Sequence, residues 1–120
     1  MIKTTIDTAK IYRISKLLRR KPPGLKFNET EAIVVTMRTE DGRILRETFY
    51  FCLKPDGTFN VQTVSKDSGH LRRLRLAKFL KHYHFTDDVK HYNLKQNIGD
   101  WKGKEIQIME SEGSTLIYVP

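Results

Sequence analysis

Alternation of apolar and polar positions dominates the middle and the end of the chain. Ile33, Val35 and Met37 alternate with Val34 and Thr36, and Thr39-Glu40-Asp41-Gly42 supplies the Asp-Gly turn of a hairpin. The return strand runs from Arg43 to Phe51, with Leu45, Phe49 and Phe51 on one face and Ile44, Arg46, Thr48 and Tyr50 on the other. Pro55-Asp56-Gly57 is a second turn, and beyond it Phe59, Val61 and Thr63 alternate with Asn60 and Gln62 over Thr58 to Val64. These three strands form an antiparallel meander, which can leave one face wet. At the end of the chain Ile106 and Ile108 alternate with Glu105, Gln107 and Met109, Glu112-Gly113 turns, and Thr115 to Val119 returns.

Two segments follow a longer period. From Asp67 or Ser68 to about Phe85, Leu76, Ala77, Phe79, Leu80 and Tyr83 form a broad apolar arc, with Arg75, Lys78 and His82 opposite; this is a capping helix with a basic back. Near the N-terminus Asp7 is positioned to cap a helix in which Ile11, Ile14, Leu17 and Leu18 recur at three- and four-residue spacing. A strand across Ala9 to Leu18 is the alternative, and the helix is preferred. Pro22-Pro23-Gly24 interrupts any helix, so residues 1–24 are read as a basic N-terminal element of a single domain spanning 1–120, followed by meander, helix and closing hairpin. Between Thr86 and Asp100 the pattern fades into a long loop, with one short turn around Val89 and Tyr92.

The expected fold class is mainly β with one or two helices (α+β): a five-stranded antiparallel barrel with a capping helix between the third and fourth strands. That element order is that of the oligonucleotide-binding (OB) barrel. A chain of 120 residues has room for one core and no second catalytic domain. A lone cysteine, Cys52, excludes an intramolecular disulfide and a cysteine-rich zinc site and makes a reducing cytoplasm the default setting. The longest aliphatic run is Ala32 to Val35, and the N-terminus is broken by Lys3, Asp7, Lys10 and Arg13, so neither a membrane span nor a signal core is expected.

Charge narrows the partner. A formal net charge of +8 implies an anionic one: nucleic acid, acidic membrane or acidic protein. Arg13, Lys16, Arg19, Arg20, Lys21 and Lys26 form a cluster with no acid among them, suited to phosphate contacts; a merely solvated surface is the plainer reading. Arg72, Arg73, Arg75, Lys78 and Lys81 form a second cluster on the capping helix. Arg46 and Tyr50 share one strand face with Thr48, the pattern of a stacking platform beside a cation, against a packing role for the ring. Trp101, beside Lys102, Gly103 and Lys104, either stacks a base or plugs one end of the barrel.

The run Leu76-Ala77-Lys78-Phe79-Leu80-Lys81-His82-Tyr83, then Trp101-Lys102-Gly103-Lys104-Glu105-Ile106-Gln107-Ile108, resembles the C-terminal half of small OB-fold single-strand-binding proteins of phage and archaeal type. The resemblance covers the last two-thirds of the chain. It implies non-catalytic binding of single-stranded DNA or RNA, with low sequence specificity, through basic and aromatic residues of the barrel face. No cofactor is implied. A homodimer through edge strands is a further expectation.

Two other function classes stay open. A small basic ribonuclease needs only His84, His91 and Arg73 to move a proton and hold a phosphate, and a protein-interaction factor, viral or cellular, would use the basic patches on an acidic surface. No paired carboxylates, Walker-type or dinucleotide glycine patterns occur. His82 and His84, two apart on a helix, point in opposed directions and cannot share a metal while that helix continues.

Overall fold

The computed structural model describes residues 1–14, 31–51, 53–59, 70–111 and 113–120, with the backbone alone for 70–73 and 111. Five antiparallel strands curl into a nearly closed, OB-like barrel: β1 (Ile2–Arg13), β2 (Glu31–Thr39), β3 (Ile44–Phe51), β4 (Glu105–Ser111) and β5 (Ser114–Ile117), in the order β3-β2-β1-β4-β5. Between β3 and β4 lie helix α1 (His70–His82), a 3-10 turn at Val89–His91, the short helix α2 (Leu94–Asn97) and a second 3-10 turn at Ile98–Trp101. The β2–β3 and β4–β5 hairpins and α1 stand where the periodicity predicts them. The predicted strand Thr58 to Val64 lies mostly outside the described residues; its first part bridges back, Phe59 to Leu53.

Over Ile2–Arg13 the N-terminal element is strand, not helix; residues 15–24 lie outside the described residues. Residues 2–13 form the central strand, which pairs with β4 through its first half (Ile2 with Ile108, Thr4 with Ile106) and with β2 over nearly all its length. The register slips at Asp7, between the pairs Ile6–Met37 and Thr8–Thr36. Such a bulge bends a strand and shifts its inward phase by one residue. Inward positions therefore run Thr4, Ile6, then Ala9 and Ile11, and the step of three across the bulge imitates helical spacing. The helical reading rests on other residues, Ile11, Ile14, Leu17 and Leu18, of which Leu17 and Leu18 lie outside the described residues.

The core gathers Ile33, Val35 and Met37 of β2, Phe49 and Phe51 of β3, Ile106 and Ile108 of β4, and Ile117 of β5. Leu76, Phe79 and Leu80 of α1 close it from one side and are fully buried. The segment Thr86 to Asp100, expected as a long loop with one short turn around Val89 and Tyr92, has that turn at Val89–His91 and packs with Trp101 into a plug. Asn93 caps α2 by accepting the Gln96 N–H at 2.9 Å, and Trp101 is 0% exposed. Gly57, at φ +90°, lets the Pro55–Gly57 turn lie against Asn93, whose side-chain amide donates to the Asp56 carbonyl at 3.0 Å.

Helix α1 ends in a Schellman motif: the Phe85 N–H reaches the Leu80 carbonyl at 2.9 Å and the His84 N–H reaches that of Lys81 at 3.2 Å. His84 pays for this geometry with φ +60°, a left-handed conformation that glycine adopts freely. His84→Gly is expected to stabilise the fold by about 1 kcal/mol, raising the thermal midpoint by roughly 4 °C. A lower midpoint would mean that the imidazole makes contacts outweighing the strain.

No direct ladder joins the edge strands β3 and β5 among the described residues; a side-chain bridge does. Glu47 points inward from β3, opposite Val35, and its side chain is only 10% exposed. The Arg75 guanidinium, reaching in from α1, donates to Glu47 Oε1 at 2.5 Å and to the Ile117 carbonyl of β5 at 3.0 Å, and lies 5.6 Å from the Phe49 ring centroid. Among the described residues Glu47 Oε2 is buried without a hydrogen-bond partner. Burial pushes the Glu47 carboxyl above its ordinary value, against the opposing pull of Arg75 and a backbone hydrogen bond from Ile117.

Candidate nucleic-acid interface

Directly opposed residues of an antiparallel pair point to the same side of the sheet. Since Ile33, Val35 and Met37 face the core, Ala32, Val34, Thr36 and Arg38 mark the outer face of β2. The pairing then builds that face row by row: Tyr12, Ala32 and Tyr50; Lys10, Val34 and Thr48; Thr8, Thr36 and Arg46; Arg38 and Ile44. Successive rows are about 6.8 Å apart, and the two tyrosine Cα atoms, one strand removed on either side of Ala32, are separated by about 9–10 Å. Ala32 between them is fully buried, while Tyr12 is 38% exposed and Tyr50 is half-buried.

The electrostatics of this face are graded. Lys10, Arg13 and Arg46 are exposed, and among the described residues none of them makes an ion pair. Arg38 is held by Asp7 at 3.4 Å, and Lys3, further down β1, by Glu105 at 3.4 Å. With Glu40 and Asp41 at the hairpin tip, the lower end is thus close to neutral or acidic. The upper end, at the tyrosine row, keeps its positive charge. Surface pairs such as Arg38–Asp7 contribute little to stability, so they matter here chiefly as charge compensation.

The structure brings together some of the sequence candidates and disperses others. Arg46 and Tyr50 stand on the outer face as expected, whereas Arg13, exposed at the end of β1, is level with Glu31 and Phe51 and so has the opposite phase from Tyr12. Lys16, Arg19, Arg20, Lys21 and Lys26 lie outside the described residues, as do the side chains of Arg72 and Arg73. Lys78 is exposed on α1 and Lys102 on the turn before β4, away from the tyrosine row. Two candidates are corrected. Arg75 is not on a basic back of the helix but in the β3–β5 bridge. Trp101 is no exposed stacking ring: it plugs the barrel, its Nε1 donating to the Tyr92 hydroxyl at 3.1 Å and its ring centroid 5.3 Å from Phe79 and 4.9 Å from Phe85. Lys104 is drawn over Phe85, with Nζ 5.2 Å from the ring centroid.

Lys10 and Tyr12 belong to this candidate face and are not among the sequence candidates. A helical reading scatters them around a cylinder, whereas the strand aligns them on one face. The available signal was the alternation of Thr8, Lys10 and Tyr12 with Ala9, Ile11 and Arg13. As for the histidines, the His91 ring meets Asp88 at 2.7 Å on the surface, which holds the Asp88 carboxyl below its usual range, and His84 serves as the helix cap. Among the described residues no group of three metal-ligating side chains converges.

No family model, curated protein or solved structure matches this chain. The functional reading therefore rests on the geometry and chemistry of its own residues.

Proposed function

We propose that the protein binds single-stranded DNA or RNA on the outer face of β1–β3, without catalysis and with low sequence specificity. The observation that carries the reading is the conjunction of Tyr12 and Tyr50 in one row with the exposed cations Lys10, in the next row, and Arg46, one row beyond, neither of which makes an ion pair among the described residues. A single strand offers unstacked bases to aromatic rings and phosphates to cations, and a face supplying both in adjacent rows meets the two needs at once. The resemblance to small OB-fold single-strand-binding proteins points the same way, as does the net charge of +8.

Charge and stacking separate experimentally. By fluorescence anisotropy on labelled oligonucleotides, Lys10→Ala with Arg46→Ala is expected to weaken binding to all sequences alike and to flatten the log–log salt slope by about 0.7 per lost phosphate contact. Tyr12→Ala and Tyr50→Ala should each cost about 1–3 kcal/mol at an unchanged slope. Absence of salt-dependent binding to any single strand by the unmodified protein would refute the proposal. Cleavage of the RNA probe, abolished by His84 or His91 replacement, would replace it with the ribonuclease.

A further inference from the structure

The helical plug bounds a second concavity, away from the tyrosine row. A cleft of about 410 Å³ is lined by His84, Phe85, Tyr92, Asn97, Asp100 and Lys104. Its chemistry is unusually complete for so small a space. Phe85 supplies a half-buried aromatic wall, backed by Trp101 and Phe79 and covered by Lys104, whose Nζ lies 5.2 Å from the ring centroid. Lys104 supplies a cation and His84 an imidazole N–H. Asp100 is exposed, and among the described residues neither it nor Lys104 makes an ion pair. The Tyr92 oxygen accepts from Trp101, which leaves its O–H available as a donor. The walls are held by packing, since Tyr92 and Trp101 belong to the core and Phe85 ends the Schellman turn.

A ligand satisfying this cleft needs an anion that draws Lys104 off the Phe85 ring, a planar apolar surface to take the lysine's place on that ring, and paired donors for the Asp100 carboxylate. Inorganic phosphate lacks the second and third, and an apolar molecule lacks the first and third. A ribonucleotide with a free 2′,3′-diol has all three: phosphate, base and vicinal hydroxyls, the last a recurrent partner of single carboxylates. We infer that the cleft between Phe85, Asp100 and Lys104 binds a ribonucleotide bearing a free vicinal diol. Two sources share that chemistry, a free 5′-mononucleotide and the 3′ end of an RNA strand. Although the second rests on the strand-binding reading, the cleft itself does not.

The test is titration of the intact protein with AMP and dAMP, read by NMR shifts of Phe85, Tyr92 and Lys104 and by calorimetry. AMP is expected to bind, with dAMP, Asp100→Asn and Lys104→Gln each weakening affinity about tenfold, as for a lost hydrogen bond to a charged group. Both substitutions are at solvent-accessible positions, and an unchanged thermal midpoint confirms the fold. Competition with RNA then identifies the source: displacement of AMP by a 3′-hydroxyl RNA but not its 3′-phosphorylated form assigns the strand end, and displacement by neither assigns the free nucleotide. Tyr50→Ala should weaken oligonucleotide binding and leave AMP binding intact. No AMP shifts at millimolar concentration, equal binding of AMP and dAMP, or loss of AMP binding in Tyr50→Ala would overturn the inference, and the first two would leave the strand-face proposal standing.

Discussion

Arg75→Met is expected to cost about 3–5 kcal/mol near neutral pH, because it strands the Glu47 carboxylate in the barrel wall without its counter-charge. The native pair is a compromise. Desolvation raises the Glu47 pKa above its unfolded value even with Arg75 in place, so the folded protein binds the extra proton more readily than the unfolded one does. The contribution of Glu47 is accordingly most favourable below its unfolded pKa and declines as pH rises through the folded value. Removing Arg75 removes an influence that lowers this pKa, so the folded value rises further and the decline extends to higher pH. Denaturant melts of the variant should therefore approach the parent near pH 4 and fall behind it progressively toward pH 7. The double change Arg75→Met with Glu47→Leu should recover most of the loss, since an apolar pair of similar volume replaces both charges. A penalty for Arg75→Met that is independent of pH would show that packing on Phe49 and the bond to the Ile117 carbonyl, not the buried carboxylate, account for its contribution.

Trp101→Ala is the other large effect, at about 3–5 kcal/mol for the loss of a fully buried indole. The ring fills the space between Phe79 and Phe85, and its N–H satisfies the Tyr92 hydroxyl. Deleting it opens a cavity and strips a buried oxygen of its donor. Trp101→Phe keeps most of the volume and should lose much less. The measurement that checks the plug role is a pairing of calorimetric melting with oligonucleotide titration well below the midpoint. Both variants should bind single strands with the parent's affinity and salt slope while melting lower. Weakened binding by folded Trp101→Phe would restore the indole to the interface.

These two residues show how a local pattern and a tertiary role diverge. Arg75 reads as helix surface because its neighbours on the arc are charged, yet the incomplete β3–β5 edge turns that position inward. Trp101 sits among Lys102, Gly103 and Lys104, a context that predicts exposure. The 3-10 turn before it rotates the indole under the barrel rim while the lysines stay at the surface. Neither outcome is encoded within a few residues of the position concerned, because each depends on which strands meet at a distant edge.

The elements whose conformation is set by near neighbours were legible from the residues alone. The Asp41-Gly42 turn with its flanking alternation, the apolar arc from Leu76 to Tyr83 and the closing hairpin need only their own period and turn chemistry. Tertiary structure decided the rest. A bulge at Asp7 is defined only against the partner strand, so the inward phase of the central strand could not be read from its own spacing. The outer face likewise exists only once β1 lies beside β2: Lys10 is 24 residues from Val34 and Tyr12 is 20 from Ala32 along the chain, and pairing alone sets them level with Thr48 and Tyr50. Periodicity reports which side of an element is buried, whereas register reports which residues of different elements share a surface, and a binding face is a property of register.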